Sequence, residues 1–585
     1  MASIEASIQI AGDEWLHLTD PIRVCEASRA EDVVPVLRKV EDATRSEGLF
    51  AAGFLSFEAA AAFSLAVSEP RRGDPPLVWF ALFAPERVHR SATLGNESES
   101  YRLGTLDPSV SPAEFAAAIA RIKRYLADGD TYQVNYTFRL GASFDGSARS
   151  LFADLVAAQG CRFGAYLRTD RWSICSASPE LFLQRTGELV IAQPMKGTAA
   201  RGRFSDEDDR LKRDLASSPK ERAENVMIVD MVRNDLGRIA DVGSVDVPEL
   251  FTLERYPNVW QMTSQVRARS AAGLVELLAA TFPSASVTGA PKIRTMELLS
   301  GLETTPRGVY TGAVGCIRPG GDLTFNVAIR TAVVDHSCNH LVFGTGSGVV
   351  WDSASDREYD ECLLKSSVLG HRPPRFELLE TMRWTPTEGI YLLDRHFRRL
   401  QAAADYFGYK FDDARIRRAV DEAVVGWRVD GAKAIRMRLL LDRDGVVRID
   451  AAPLTSVEPR AKVRIASSPI DTNTPFVFHK TTHREMYDRF RSADADEVIL
   501  WNDRGEITEG ITTNVVADVD GARVTPPVSC GLLAGTFRAE LVAGGEVVEK
   551  ILTVEMLQTA RQVWIVNSVR GWREAEIDWA VVSDK

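Results

Sequence analysis

Apolar positions along the chain recur in places at every second residue and in places at every third or fourth, a pattern that predicts a mixed α and β protein. Two β-branched runs, Gly308 to Ile317 and Leu323 to Val334, joined by Arg-Pro-Gly-Gly, predict a hairpin. A helix is predicted from about Asp206 to Arg238, with Val226, Val229, Val232 and Leu236 as its inward stripe and Glu221 and Glu224 one turn apart. Another helix follows Asp352-Ser-Ala-Ser and brings Glu358, Glu361 and Lys365 to one face. The helical pattern ends at Gly370-His-Arg-Pro-Pro-Arg375, where the proline pair breaks the chain. The expected organisation is therefore a domain of residues 1–370 with an N-terminal subregion of about 1–105, a linker at 371–375, and a domain of residues 376–585. In the second, Phe376 to Trp384 and Gly389 to Leu393 predict strands, followed by a helix with Phe397, Leu400, Ala403, Ala404 and Phe407 inward. Strand-rich sequence continues from Ala434 to Ala452 and from Glu497 to Val524.

At about 150 residues per domain, 585 residues leave room for three to four units, best grouped into two large ones. A composition of 45% hydrophobic and 26% charged residues excludes disorder and coiled coil as the main theme. With 70 Lys and Arg against 81 Asp and Glu, a net charge of -11 and no long basic run, nucleic acid is excluded as the expected partner. The seven Cys are scattered without a C-x-x-C spacing and read as reduced, mostly buried thiols. The N-terminal residues lack a basic start and an apolar core, and no run reaches about 18 apolar residues, so a cytoplasmic protein that meets no membrane is expected.

Chemistry enters with a series of short strings: Ser178-Pro-Glu180, Gln193-Pro-Met-Lys196-Gly, Glu224 to Asp230, Val-Thr-Gly289-Ala-Pro, Arg307-Gly-Val-Tyr310, Ala328-Ile-Arg330-Thr and Gly344-Thr-Gly346-Ser-Gly348. Each alone is weak, since a lysine beside a glycine is ordinarily a surface lysine. In this order, over Thr131 to Lys365, they resemble the chorismate-utilising enzymes, among them anthranilate, aminodeoxychorismate, isochorismate and salicylate synthases. The resemblance implies large antiparallel sheets with flanking helices. It implies Mg²⁺ held by Glu224 and Glu361 with Glu358 and Glu221 in support, and Arg330 and Tyr310 on the enolpyruvyl side chain. Backbone amides near Gly289 and Gly346 to Gly348, with Lys365, would take the ring carboxylate. Water-adding relatives carry a lysine base at the position of Gln133. A lysine at the position of Lys196 marks the branch that adds ammonia para to the ring carboxylate. The implied mechanism has Lys196 add to the ring while Glu180 protonates the departing hydroxyl. Many relatives have His where this chain has Gln261, an amide that carries neither charge nor proton. The sequence has no Gly-x-Cys-x-Gly segment, so a separate glutamine amidotransferase subunit is the expected ammonia source.

After the linker come Phe376-Glu-Leu-Leu-Glu-Thr-Met-Arg383, His396-Phe-Arg-Arg399, His479-Lys480, Glu509-Gly-Ile-Thr-Thr-Asn514, Leu533-Ala-Gly-Thr536-Phe537-Arg and Asn567-Ser568-Val-Arg570. Together they resemble the fold-type IV pyridoxal phosphate enzymes, a family that includes aminotransferases and aminodeoxychorismate lyase and commonly forms dimers. The resemblance implies Lys480 as the cofactor lysine, Glu509 beside the pyridine nitrogen, and a phosphate cup from Arg399, the backbone at Thr536 and Phe537, and Ser568. Relatives begin with an extra stretch before the segment matching Phe376, and here only the linker stands there. The two halves together imply consecutive steps from chorismate to 4-aminobenzoate. Alternatives are a true aminotransferase or a silent docking module as the second half, and an anthranilate synthase as the first.

Overall fold

The computed structural model describes residues 4–12, 14–95, 99–370, 372–429 and 433–579, so His371 of the expected linker lies outside the described residues. The chain divides into two compact units, one made of Met1–Arg201 and Lys212–Pro373, the other of Gly202–Leu211 and Pro374–Lys585.

Two large antiparallel sheets, of eleven and ten strands, form the first unit. Ile8, Leu16, Leu167 and Ile174 of one sheet meet Phe54, Trp79, Phe83 and Cys316 of the other in a shared apolar layer. Helices cover both outer faces: Ala30–Ser46, Pro219–Gly237 and Leu274–Thr281 on the ten-stranded sheet, Pro112–Ala127 and Ala148–Gln159 on the other. An inner strand such as Phe50–Leu55 is therefore buried on both faces, Ala51 and Leu55 under helices and Ala52 and Phe54 between the sheets. That double burial explains why its sequence is a continuous apolar run rather than an alternating one.

Three expectations are corrected here. The run Leu323 to Val334 is two strands: Leu323–Val327 completes the hairpin with Ala313–Ile317, and Thr331–Asp335 belongs to the other sheet. The expected helix from Asp206 to Arg238 is two, Ser205–Ser217 and Pro219–Gly237, because Pro219 cannot donate into a continuing helix and Ser218 caps the second one. On that second helix Ile228, Val229, Val232 and Leu236 are buried, whereas Val226 is exposed.

The second unit has a four-stranded antiparallel sheet, covered by helices Leu393–Phe407 and Asp413–Val429, and an eight-stranded mixed sheet. Phe397, Leu400, Ala403 and Ala404 face inward as the periodicity predicts, with Phe407 partly buried. The strand expected from Gly389 stops at Ile390, because Leu392 turns to φ 56° and starts the helix. All seven cysteines are free thiols, and Cys161, Cys175, Cys316, Cys362 and Cys530 are buried. No helix of the described residues is long and apolar enough to cross a membrane.

Candidate active sites

In the first unit the chain crosses between sheets twice, side by side. Trp172–Ser178 of the eleven-stranded sheet passes through Pro179 and Glu180 into Leu181–Thr186 of the ten-stranded one, and Leu323–Val327 returns through Ala328 to Arg330 into Thr331–Asp335. Backbone pairing fixes the crossings against each other: Leu181 faces Asn326, Ser176 faces Thr331, and the Ser178 hydroxyl donates to the Val327 carbonyl at 2.6 Å. Glu180 and Arg330 are thereby placed at one end of the sandwich. Arg330 holds φ 53°, a left-handed conformation that only a tightly determined turn imposes on a non-glycine residue. Its guanidinium donates to the Lys365 carbonyl.

Lys196 rides the edge strand Met195–Ala200 of the ten-stranded sheet. Gln133, Gly289, Gly346 and Gly348 come from three neighbouring strands at the edge of the eleven-stranded sheet. The two edges converge: a Cβ on Gly348 would lie 2.8 Å from Lys196 Nζ and 3.2 Å from Gln133 Nε2. Gln133 is fully buried, and neither its amide nitrogen nor its amide oxygen has a partner. An orphaned buried amide costs free energy, roughly 1–3 kcal/mol, and marks a place built for a further polar group.

Electrostatics divide the labour. Burial pushes the Glu180 carboxyl up to about 7, against a hydrogen bond from the Ser286 hydroxyl and the attraction of Lys196. Burial also lowers the Lys196 ammonium, opposed by Glu224, and the Lys365 charge lowers it further. The raised carboxyl and the lowered ammonium are shifted toward each other, a perturbation that marks candidate functional groups. Tyr310 is buried with the Arg139 guanidinium 5.2 Å from its ring centre.

The helix Ser355–Ser366 presents Glu358, Glu361 and Lys365 toward this edge. Lys365 Nζ pairs with Glu361 at 2.6 Å and donates to the Gly346 carbonyl at 3.0 Å, while Glu358 accepts from the Ser347 hydroxyl. Burial pulls Glu361 up, but Lys365 brings it below its ordinary value. Glu221 sits above its ordinary value through burial and the neighbouring Glu224 charge. Among the described residues no three carboxylates, histidines or cysteines close into a metal-holding group, so the expected set of Glu224, Glu358 and Glu361 is not assembled as a triad. Glu361 reaches for Lys365 and Glu358 for Ser347. All are hard oxygen donors, and Mg²⁺ ordinarily takes only one or two protein carboxylates with the rest of its shell from substrate and water, so the donor set suits it.

Gln261 is fully engaged: Nε2 donates to the Gly197 carbonyl at 2.9 Å and Oε1 accepts from Thr198 at 2.9 Å. It braces the strand of Lys196 from the neighbouring strand.

In the second unit Lys480 follows directly on buried His479, and its carbonyl accepts from Leu379 N at 2.9 Å. Burial, with the Arg399 charge adding to it, pushes the Lys480 ammonium down to about 8. Burial pushes Glu509 up to about 7, although Tyr487 Oη and Leu533 N donate to it at 2.8 and 3.1 Å. Arg399 forks onto Glu380 at 2.8 and 2.7 Å and donates to the Ala534 carbonyl at 3.2 Å. Thr536 and Phe537 open the helix Thr536–Ala543, whose first turn has no side-chain cap, and Ser568 is buried beyond the strand Gln562–Asn567. Open amides at a helix start, a guanidinium and a hydroxyl are each donors of the kind a phosphate takes.

Residues 86–370 match the family model described as chorismate binding enzyme, and residues 377–576 match that of amino-transferase class IV. The chain carries a chorismate binding enzyme domain followed by a class IV amino-transferase domain. Aminodeoxychorismate synthase component 1 of Bacillus subtilis is 37% identical over 280 residues, which is 48% of this chain and 59% of that protein. Anthranilate synthase component 1 1 of Haloarcula marismortui is 41% identical over 267 residues, 45% of this chain and 54% of that one. The chain thus spans between half and three fifths of the length of these relatives. The anthranilate synthase component I structure from Streptococcus pneumoniae shares the fold, with 23% identity, a TM-score of 0.54, and coverage of 62% of this chain and 93% of that one.

Sequence reasoning missed two supports. In the chorismate binding enzyme domain, Arg307 and Glu303 form a buried pair at 2.8 Å that also holds Thr137 and the carbonyls of Val287 and Asn135, next to Tyr310. In the class IV domain, Glu380 is fully buried, takes His396 Nδ1 at 2.6 Å as well as Arg399, and is held down to about 2 by them against the upward pull of burial. A lone glutamate inside the apolar run Leu-Leu-Glu-Thr-Met was the available signal.

Proposed function

We propose that the chain makes 4-aminobenzoate in two steps, chorismate and ammonia to 4-amino-4-deoxychorismate in the first domain, then loss of pyruvate in the second. The observation that carries this reading is the convergence of Lys196 and the unpartnered Gln133 amide over Gly348, beside a Glu180 carboxyl pushed up to about 7. Neutral Lys196 adds to the ring as Glu180 gives its proton to the departing hydroxyl, and ammonia then displaces the lysine amine. Gln133 holds the incoming group by its amide but cannot deprotonate water, which disfavours hydration of the ring. Arg330 and Tyr310 take the enolpyruvyl carboxylate, and Lys365 with the amides near Gly289 and Gly346 takes the ring carboxylate. Glu224 and Glu361, supported by Glu358, are the residues that would hold Mg²⁺. When bound, the ion supplies divalent positive charge to the substrate carboxylate.

In the second domain Arg399, the amides at Thr536 and Phe537, and Ser568 would hold the phosphate of pyridoxal phosphate, with Glu509 at its ring nitrogen and Lys480 at its aldehyde. The cofactor, when bound, supplies an electron sink for the substrate amine. Lys480, with its ammonium at about 8, has a neutral fraction near neutral pH to take the ring proton, after which pyruvate leaves and the ring becomes aromatic. The component 1 designation of the Bacillus relative supports a separate amidotransferase subunit as the ammonia source, and the free thiols support a reducing, cytoplasmic setting.

A second reading, anthranilate formation, is favoured by the 41% identity to the Haloarcula enzyme. One incubation separates them: the purified chain with chorismate, ammonia, Mg²⁺ and pyridoxal phosphate should yield 4-aminobenzoate. Anthranilate would overturn the first step, and accumulation of 4-amino-4-deoxychorismate would overturn the second.

A further inference from the structure

Gly202–Leu211 lies in the sequence between Lys196 and Glu224, yet it folds as part of the second unit. The Tyr406 hydroxyl donates to the Gly202 carbonyl at 2.7 Å, and the Tyr406 ring is stacked on the His479 imidazole with centres 4.3 Å apart. The Phe204 ring lies 5.0 Å from that of Phe478, and the Arg203 guanidinium lies 5.5 Å from the same ring and donates to the Thr472 carbonyl at 3.4 Å. Phe478 and His479 are the two residues before Lys480.

The segment is internally set for this contact. Gly202 N donates to Asp208 Oδ1 at 2.8 Å, and Arg203 donates to Glu207 from both backbone and side chain at 2.6 and 3.1 Å. A Cβ on Gly202 would lie 2.1 Å from Asp208 N, so the turn admits only glycine.

We propose that Gly202–Leu211 is a positioning segment for Lys480. It fixes Phe478 and His479 on one flank of the lysine while the Leu379 amide fixes the Lys480 carbonyl on the other. Two ring contacts and a buried hydrogen bond restrict the backbone from which the amine projects, and a displacement of about 1 Å at a reacting group costs up to about 100-fold in rate. The segment touches none of the reacting atoms. The inference rests on Lys480 being the cofactor lysine.

The test uses the full chain and pyridoxal phosphate as probe, with Phe204→Ala, Phe204→Leu, Tyr406→Phe and Lys480→Ala. Expected for Phe204→Ala are a shifted pH midpoint of the Lys480-dependent visible band, about a tenfold lower kcat for pyruvate release with KM nearly unchanged, and unaltered conversion of chorismate. Phe204→Leu should recover most of both changes, and Tyr406→Phe should shift the band while keeping the stack on His479. An unshifted band and kcat in folded Phe204→Ala and Tyr406→Phe would overturn the proposal, as would Phe204→Leu failing as badly as alanine. Absence of a band in the unsubstituted chain, or its survival in Lys480→Ala, would instead overturn the reading of Lys480 itself, and the proposal with it.

Discussion

Gly348→Ala tests the geometry of the first site with a single methyl group. Gly348 stands opposite Asn135 in the strand pairing and has no left-handed φ, so alanine fits its backbone. The added Cβ would meet Lys196 Nζ at 2.8 Å and Gln133 Nε2 at 3.2 Å, whereas ordinary van der Waals contact begins at 3.4 Å. Both obstacles are ends of flexible side chains, so the fold is expected to absorb the change with a stability effect within about 0.5 kcal/mol. Lys196 Nζ must retreat from 2.8 to at least 3.4 Å, a shift of about 0.6 Å. Since a misplacement of about 1 Å costs up to about 100-fold, the expected loss in kcat for 4-amino-4-deoxychorismate formation is about 10- to 50-fold, or roughly 1.4–2.3 kcal/mol. KM for chorismate should stay within about twofold, because the methyl group is not directed at Arg330 or Tyr310. The assay is product chromatography with ammonia as nucleophile, and pyruvate release from supplied 4-amino-4-deoxychorismate serves as internal control. An unchanged kcat, or a parallel fall in pyruvate release, would refute the placement of Lys196 over this glycine.

Gly346→Ala should behave differently: its Cβ would meet the Tyr136 carbonyl and Thr137 Cγ2 at 2.7 Å, partly backbone that cannot yield, so a lower melting temperature is expected in calorimetry rather than a selective rate effect. Lys196→Ala should abolish conversion of chorismate and leave pyruvate release from supplied intermediate intact, whereas loss of both would argue against independent sites. Because Glu180 acts in its protonated form and Lys196 in its neutral form, kcat/KM of the first step should follow a bell-shaped pH profile, and a profile with neither an acid nor an alkaline limb would exclude this acid and nucleophile pair. Glu380 has the opposite sign: held at about 2 against an ordinary 4.5, it stabilises the second unit fully above pH 4.5 and loses that as pH falls toward 2. Glu380→Gln should cost roughly 3 kcal/mol near neutral pH in calorimetric unfolding and weaken pyridoxal phosphate binding through a freed Arg399, and tight binding by the variant would refute the positioning role.

The candidate residues of both sites were read from the resemblance that their short strings carry together, and local pattern alone placed only a few of them. The carboxylate helix at Ser355–Ser366 is one case, since spacing along a helix places Glu358, Glu361 and Lys365 together without any tertiary information. What the sequence did not disclose depended on partners far along the chain. Leu323 to Val334 satisfies the strand pattern throughout, and nothing local says that pairing changes sheets after Val327. The change is imposed by Leu181 opposite Asn326 on one side and Ser176 opposite Thr331 on the other, residues about 150 positions away. The same holds for Gly202–Leu211, whose aromatic and hydrogen-bonding partners lie some 200 positions or more downstream.

The sheet crossing also explains why Arg330 is where it is. A strand that continued unbroken would alternate its side chains between the two faces of one sheet, and no position on it would present a guanidinium to the gap at the sandwich end. Leaving one sheet after Val327 and entering the other at Thr331 requires a reversal, which Arg330 supplies at φ 53° and the Ala177 amide secures by donating to the Arg330 carbonyl at 3.1 Å. A left-handed arginine costs about 1 kcal/mol relative to glycine. Arg330→Gly should therefore relax the backbone and raise stability slightly while removing the carboxylate fork, whereas Arg330→Lys keeps the strain and a charge but loses the two-pronged contact. If Arg330 serves the enolpyruvyl carboxylate, both variants should raise KM for chorismate by tenfold or more, glycine more than lysine, and only glycine should gain in melting temperature. Equal KM values across the three proteins would show that the strain at this crossing serves the fold alone.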